Sequence, residues 1–96
     1  MNRIVVTGDA TSDLDDIWSY ISNESQDSAN RLIDSIIERF ATLAQFPEMG
    51  RERGEISNGM RSFPAGRYFI FYQQIEDGIE ILRVLHSARD IDAFFQ

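Results

Sequence analysis

The chain has 96 residues, 43% apolar and 26% charged, with no cysteine, one histidine and a formal net charge of −7. Such a length suits one domain, spanning residues 1–96, with a modest core. The missing cysteines exclude disulfides and thiolate chemistry, and the acidity argues against non-specific binding to a phosphate backbone. No apolar run approaches membrane-spanning length, and the run Ile4–Val6 is too short for a signal-peptide core, so a cytoplasmic protein that engages no membrane is expected. There is no lysine: every fixed positive charge is an arginine, three of them in residues 1–50 against nine acids, and six in residues 51–96 against seven acids.

In chain order, Arg3–Thr7 reads as a first strand, and Gly8-Asp9-Ala10-Thr11 as a turn. Thr11 or Ser12 is the expected N-cap of a helix, with Ser12 and Asp15 in a capping-box pattern. Leu14, Ile17, Trp18 and Ile21 repeat at helical spacing and are assigned to the core, while Asp13, Asp15, Asp16 and Ser19 take the opposite side. Asn23–Gln26 breaks the pattern. A second helix is predicted from Asp27 to Phe46, with an apolar stripe of Ala29, Leu32, Ile33, Ile36, Ile37, Phe40, Leu43 and Ala44, ended by Pro47.

Residues 48–54 read as a charged loop. Met60–Phe63 is a predicted strand closed by Pro64-Ala65-Gly66, and Tyr68–Gln74 and Ile79–His86 are the strongest strand signals, with Asp77-Gly78 as a two-residue turn between them. Asp90–Phe95 has the length of one or two helical turns. The order describes an α+β domain: N-terminal strand, α-helical hairpin, three-stranded antiparallel meander and short C-terminal helix.

With Asp77-Gly78 in the turn, Tyr72 falls opposite Arg83 and Phe69 opposite His86. Arg83 and Tyr72 then form a structural polar pair across the strands, and His86 stacks near Phe69. Both strand faces are apolar, and the terminal segment is too short to cover the face that the helical hairpin leaves bare. An open apolar groove is expected there. No metal-ligand spacing and no glycine-rich phosphate loop occur, so no metal or cofactor is expected. Arg83, His86 and Arg89 at three-residue intervals are open to three roles: catalysis, docking or structure.

Several segments together resemble the ParE branch of the RelE/ParE toxin superfamily. They are Asp13-Leu14 with Ile17, Tyr20 and Ile21; Phe40–Ala44 with Pro47 and Met49–Arg51; Gly59–Pro64; Gly66–Tyr72; and Ile81–His86 with Ala88–Ile91. The resemblance covers nearly the whole chain. It implies the toxin of a bacterial type II toxin–antitoxin pair, an inhibitor of DNA gyrase and not an enzyme, neutralised in a hetero-oligomer by a ParD-like or similar antitoxin. On this reading Arg61, Arg67, Arg89 and His86 contact the target. The antitoxin's tail fills the apolar groove, or adds a strand at a sheet edge, and offers Arg or Lys to the acidic rim. Two alternatives follow from the same resemblance. One is a ribosome-dependent mRNA endoribonuclease of the RelE type using Arg83 and His86. The other is an inactive relative that only binds its antitoxin.

Overall fold

The computed structural model describes residues 2–95. Its elements are β1 (Arg3–Val6), α1 (Gly8–Ser22), α2 (Gln26–Gln45), a 3-10 turn at Pro47–Met49, β2 (Arg51–Glu52), β3 (Met60–Ala65), β4 (Tyr68–Ile75), β5 (Gly78–His86) and α3 (Ile91–Phe94). The strands form one mixed sheet in the order β1-β5-β4-β3-β2, in which β1 runs parallel to β5 and the other pairs are antiparallel. The expected α+β architecture stands. The sheet has two additions: β2, in the stretch read as a charged loop, and the parallel pairing of β1.

The cap of α1 lies four residues before Thr11 and five before Ser12, the expected caps. Thr7 has extended backbone angles, and its hydroxyl accepts the Ala10 N–H at 3.1 Å, so Thr7 is the cap and Gly8–Thr11 is helix, not turn. Ser25 caps α2 in the same way. Ala10, Ile17, Ile36, Phe40, Leu43 and Ala44 bury one face of the hairpin against Ile70, Tyr72, Ile79, Ile81 and Val84 of the sheet. Trp18 and Ile37, both assigned to the core by periodicity, are instead 36% and 48% exposed. The helical contact is narrower than the apolar stripe, and the Trp18 indole instead donates to Asn30 Oδ1 at 2.8 Å.

The β4–β5 hairpin departs most from expectation. Its turn is Glu76-Asp77, one residue earlier than predicted, with Ile75 paired to Gly78. The register then shifts between Phe71 and Tyr72: Tyr72 pairs with Ile81, Phe71 with Arg83, and Tyr68 with His86. Leu82 is the extra residue of a β-bulge. Ile81 and Val84 both enter the helix-side core across this bulge, which strict alternation forbids. Tyr72 therefore does not face Arg83. Its hydroxyl donates to the Pro47 carbonyl and accepts the Gly50 N–H, each at 2.8 Å.

The face away from the hairpin is not an open groove. Phe71 and Leu85 are 0% and 4% exposed beneath Ile56, Phe69, Leu82, Ile91, Phe94 and Phe95. The C-terminal turn is short, but the loop after β2 contributes Ile56, and the Arg53 guanidinium lies 5.6 Å from the Phe71 ring centroid. These close what α3 alone does not.

Candidate functional site

The end of β1 sets the site. β1 pairs with β5 only as far as Val6 and Ile81. The next residue, Thr7, donates its N–H to Ile81 O at 3.1 Å and its hydroxyl to Leu82 O at 3.0 Å. From there α1 takes over the edge of β5: Asp13 Oδ2 accepts the Val84 N–H at 3.0 Å. A helix side chain thus serves a backbone donor that the departed strand no longer reaches.

Asp13 is buried on the apolar stripe of α1, not on its solvent side. It also receives Arg83, whose Nε and Nη2 reach Oδ2 and Oδ1 at 2.7 Å each. This forked geometry is the strong form of a charge-assisted pair. The hydrogen bond to Asp13 raises the Arg83 pKa, against the effect of burial. The guanidinium carbon also lies 4.4 Å from the Phe94 ring centroid. Arg83 therefore ties α1 to the C-terminal turn, and its structural partners are Asp13 and Phe94 instead of Tyr72.

Beside this pair a cleft of about 440 Å³ opens between α1 and the end of β5, lined by Asp16, Ile17, Tyr20, Tyr68, His86 and Arg89 among others. Tyr68 is buried and meets the His86 ring edge-on with centroids 5.1 Å apart. Phe69, the expected neighbour of His86, instead pairs with Leu85 on the other face. Burial raises the Tyr68 phenol pKa, and the nearby Tyr20 phenol adds to the rise. His86 is exposed, and its Nδ1 accepts the Ala88 N–H at 3.0 Å. That bond places the proton of the neutral imidazole on Nε2. Arg89 is exposed and lies 4.9 Å from the Phe94 centroid. The cleft thus offers donors, aromatic faces and the Asp16 carboxylate beside the paired Asp13, a composition suited to gripping a protein surface.

His86 and Arg89 thus share one site. Arg67 is exposed in the β3–β4 turn, whose carbonyl accepts the Ser87 N–H at 2.8 Å, so it sits next to that site. Arg61 does not join them. Its guanidinium donates to Gly50 O at 2.8 Å and Glu48 O at 3.3 Å and pairs with Glu52, clamping the segment between α2 and β2. Asp13, Tyr20, Tyr68 and Phe94 were not among the expected site residues. For Asp13 a signal existed: it sits between Ala10 and Ile17 at helical core spacing. Among the described residues no group of three or more His, Asp or Glu is placed to hold a metal ion.

Residues 4–91 match a family model described as the ParE toxin of the type II toxin–antitoxin system parDE. Toxin ParE3 of Caulobacter vibrioides is 27% identical over 94 residues, 97% of this chain and 94% of that one. Toxin RelE3 of the same organism is 34% identical over 82 residues, 81% of this chain and 86% of that one. Among solved structures, a chain from the chromosomal ParDE toxin–antitoxin system of P. aeruginosa superposes with a TM-score of 0.75 at 24% identity, covering 90% of this chain and 96% of that one.

Proposed function

The chain belongs to the ParE toxin family of type II toxin–antitoxin systems, and on that premise we propose that it inhibits DNA gyrase when free and is neutralised by direct binding of its cognate antitoxin in a hetero-oligomer. The observation that carries the reading is the division of labour among the arginines. Arg83 is spent on Asp13 and Phe94, while Arg89 and His86 stand exposed at the rim of a cleft with aromatic walls. A residue held in a forked ion pair is poorly placed to stabilise a phosphorane, whereas an exposed arginine beside tyrosines suits protein recognition. This supports target binding by His86, Arg89 and the neighbouring Arg67 over RelE-type mRNA cleavage by Arg83 and His86. The proposed setting is the bacterial cytoplasm, and the proposed outcome is growth arrest, with the described residues acting as one domain.

Inducible expression with parallel readouts tests it. Early induction of the DNA-damage response, with translation initially intact, is the expected result. Cleavage of mRNA on programmed ribosomes that His86→Ala abolishes would replace this reading with the nuclease one.

A further inference from the structure

Tyr68 is nine-tenths buried, at 9% exposure. Burial and the Tyr20 phenol raise its pKa, and no hydrogen bond acts on it. Among the described residues every fully enclosed polar side-chain atom has a partner, so the unpartnered Tyr68 hydroxyl reaches solvent. Its opening is the cleft between α1 and the end of β5, which Tyr68 lines.

The charges around this opening are unevenly spent. Asp13 is saturated by the Arg83 fork and the Val84 N–H. Asp16 lines the same cleft, yet Arg89 joins none of the ion pairs among the described residues. The Ala88 N–H on Nδ1 of His86 leaves the ring proton on Nε2. Three side chains can therefore donate here: Tyr68, His86 and Arg89. Ile17, Val84 and Leu85, all buried, add an apolar lining.

We propose that the cleft binds a single carboxylate, that of a glutamate side chain on the target protein, with the carboxylate on the Tyr68 hydroxyl, His86 Nε2 and Arg89 and the methylenes against Ile17 and Leu85. A carboxylate accepts from several donors at once, and a guanidinium gives it the strongest of these bonds. Only the assignment of the glutamate to the target rests on the proposed function; the choice of a carboxylate does not. A basic side chain would meet the unpaired Arg89 and find only Asp16 free. A nucleic-acid strand would carry a row of phosphates past α1, where Asp9, Asp13, Asp15 and Asp16 stand. One carboxylate is compatible with an acidic chain, because its donors are in contact with it while the more distant exposed acids are screened.

NMR titration of the full-length toxin with N-acetylglutamate amide tests the ligand, with the glutamine analogue and inorganic phosphate as comparators. Saturable shifts at Tyr68, His86 and Arg89 with the glutamate compound, and none with the glutamine one, are expected. Tyr68→Phe keeps the ring and should melt like the parent, since its hydroxyl has no internal partner, yet weaken the glutamate compound and DNA gyrase alike by about ten-fold. No shifts, equal binding of the two amides, or a preference for phosphate overturns the proposal. So does a Tyr68→Phe chain that melts well below the parent, or one that binds gyrase and the glutamate compound as the parent does; either leaves the function standing. A parent chain that binds the glutamate compound but ignores gyrase supports the carboxylate site and overturns the proposed function, with the assignment of the glutamate to that target.

Discussion

Asp13 and Arg83 lie 70 residues apart in sequence and meet in two hydrogen bonds of 2.7 Å, with a third from the Val84 N–H to the same carboxylate. This contact joins the first helix to the last strand and, through Phe94, to the C-terminal turn. Asp13→Ala or Arg83→Ala leaves a mostly buried charge or a backbone donor without its partner. Each should lower stability by about 3 kcal/mol, the lower end for a broken buried pair because the Arg83 side chain keeps 24% exposure. Arg83→Lys should recover only part, since an ammonium lacks the fork. Urea unfolding of the three variants measures this. An Arg83→Ala chain as stable as the parent would make the pair energetically idle.

Arg89 is exposed and contributes a stacking contact to Phe94. Arg89→Ala should unfold within about 1 kcal/mol of the parent and yet lose toxicity if the cleft is the target-binding surface. Thermal melts combined with viability counts after induction separate the two effects. Retained killing by a folded Arg89→Ala chain would remove Arg89 from that surface.

The Tyr72 hydroxyl bridges Pro47 O and Gly50 N. Tyr72→Phe leaves both groups short of a partner and should cost about 1–3 kcal/mol. The phenol also carries a pH signature. Burial raises the Tyr72 pKa above its ordinary 10.0, although the Gly50 N–H and Arg61 work against the rise. A raised folded-state pKa means that the unfolded chain ionises first, so stability is intact below pH 10 and falls as pH climbs through the folded value. Tyr68 is raised by burial and acts in the same direction. Tyr72→Phe should therefore be less stable at neutral pH but show a shallower alkaline loss, readable from denaturant midpoints across pH 8 to 11. A parallel loss in both proteins would deny Tyr72 any part in it.

Gly78 looks like a turn glycine in the sequence, but the turn is Glu76-Asp77, and neither of those residues nor Gly78 has a positive φ. A side chain at Gly78 would instead run into the backbone of Arg3 in the adjacent parallel strand. Gly78→Ala should push β1 off β5 and destabilise by about 1–3 kcal/mol. Gly54→Ala, where an added methyl meets open space, serves as the control. Equal melting temperatures for the two would show that β1 shifts freely to accommodate the methyl.

Local physics accounts for what was legible in the sequence. Spacing located both helices, Pro47 marked the end of the second, and β-branched and aromatic runs found β3, β4 and β5. Thr7 reads as a strand residue because its capping role depends on backbone angles that propensity does not reveal. The site was legible only as residue types. His86 and Arg89 could be singled out, but the Glu76-Asp77 turn displaces the β4–β5 pairing by two residues from the expected register and the bulge at Leu82 restores one of them, which reassigns every cross-strand neighbour. The turn position separates Tyr72 from Arg83, and turn and bulge together give Phe69 to Leu85 in place of His86. Asp13 reads as solvated in the sequence because a carboxylate enters a core only when a distant partner meets it there, and that partner lies 70 residues on. The sequence by itself therefore determined the helices, the strands β1 and β3 to β5, their order and the acidic character of the chain. The tertiary structure decided which arginine is locked and which is free, which strand has an open edge, and that Ile56 of the loop after β2 joins Ile91, Phe94 and Phe95 in closing the second face, because these depend on contacts between segments that no local pattern encodes.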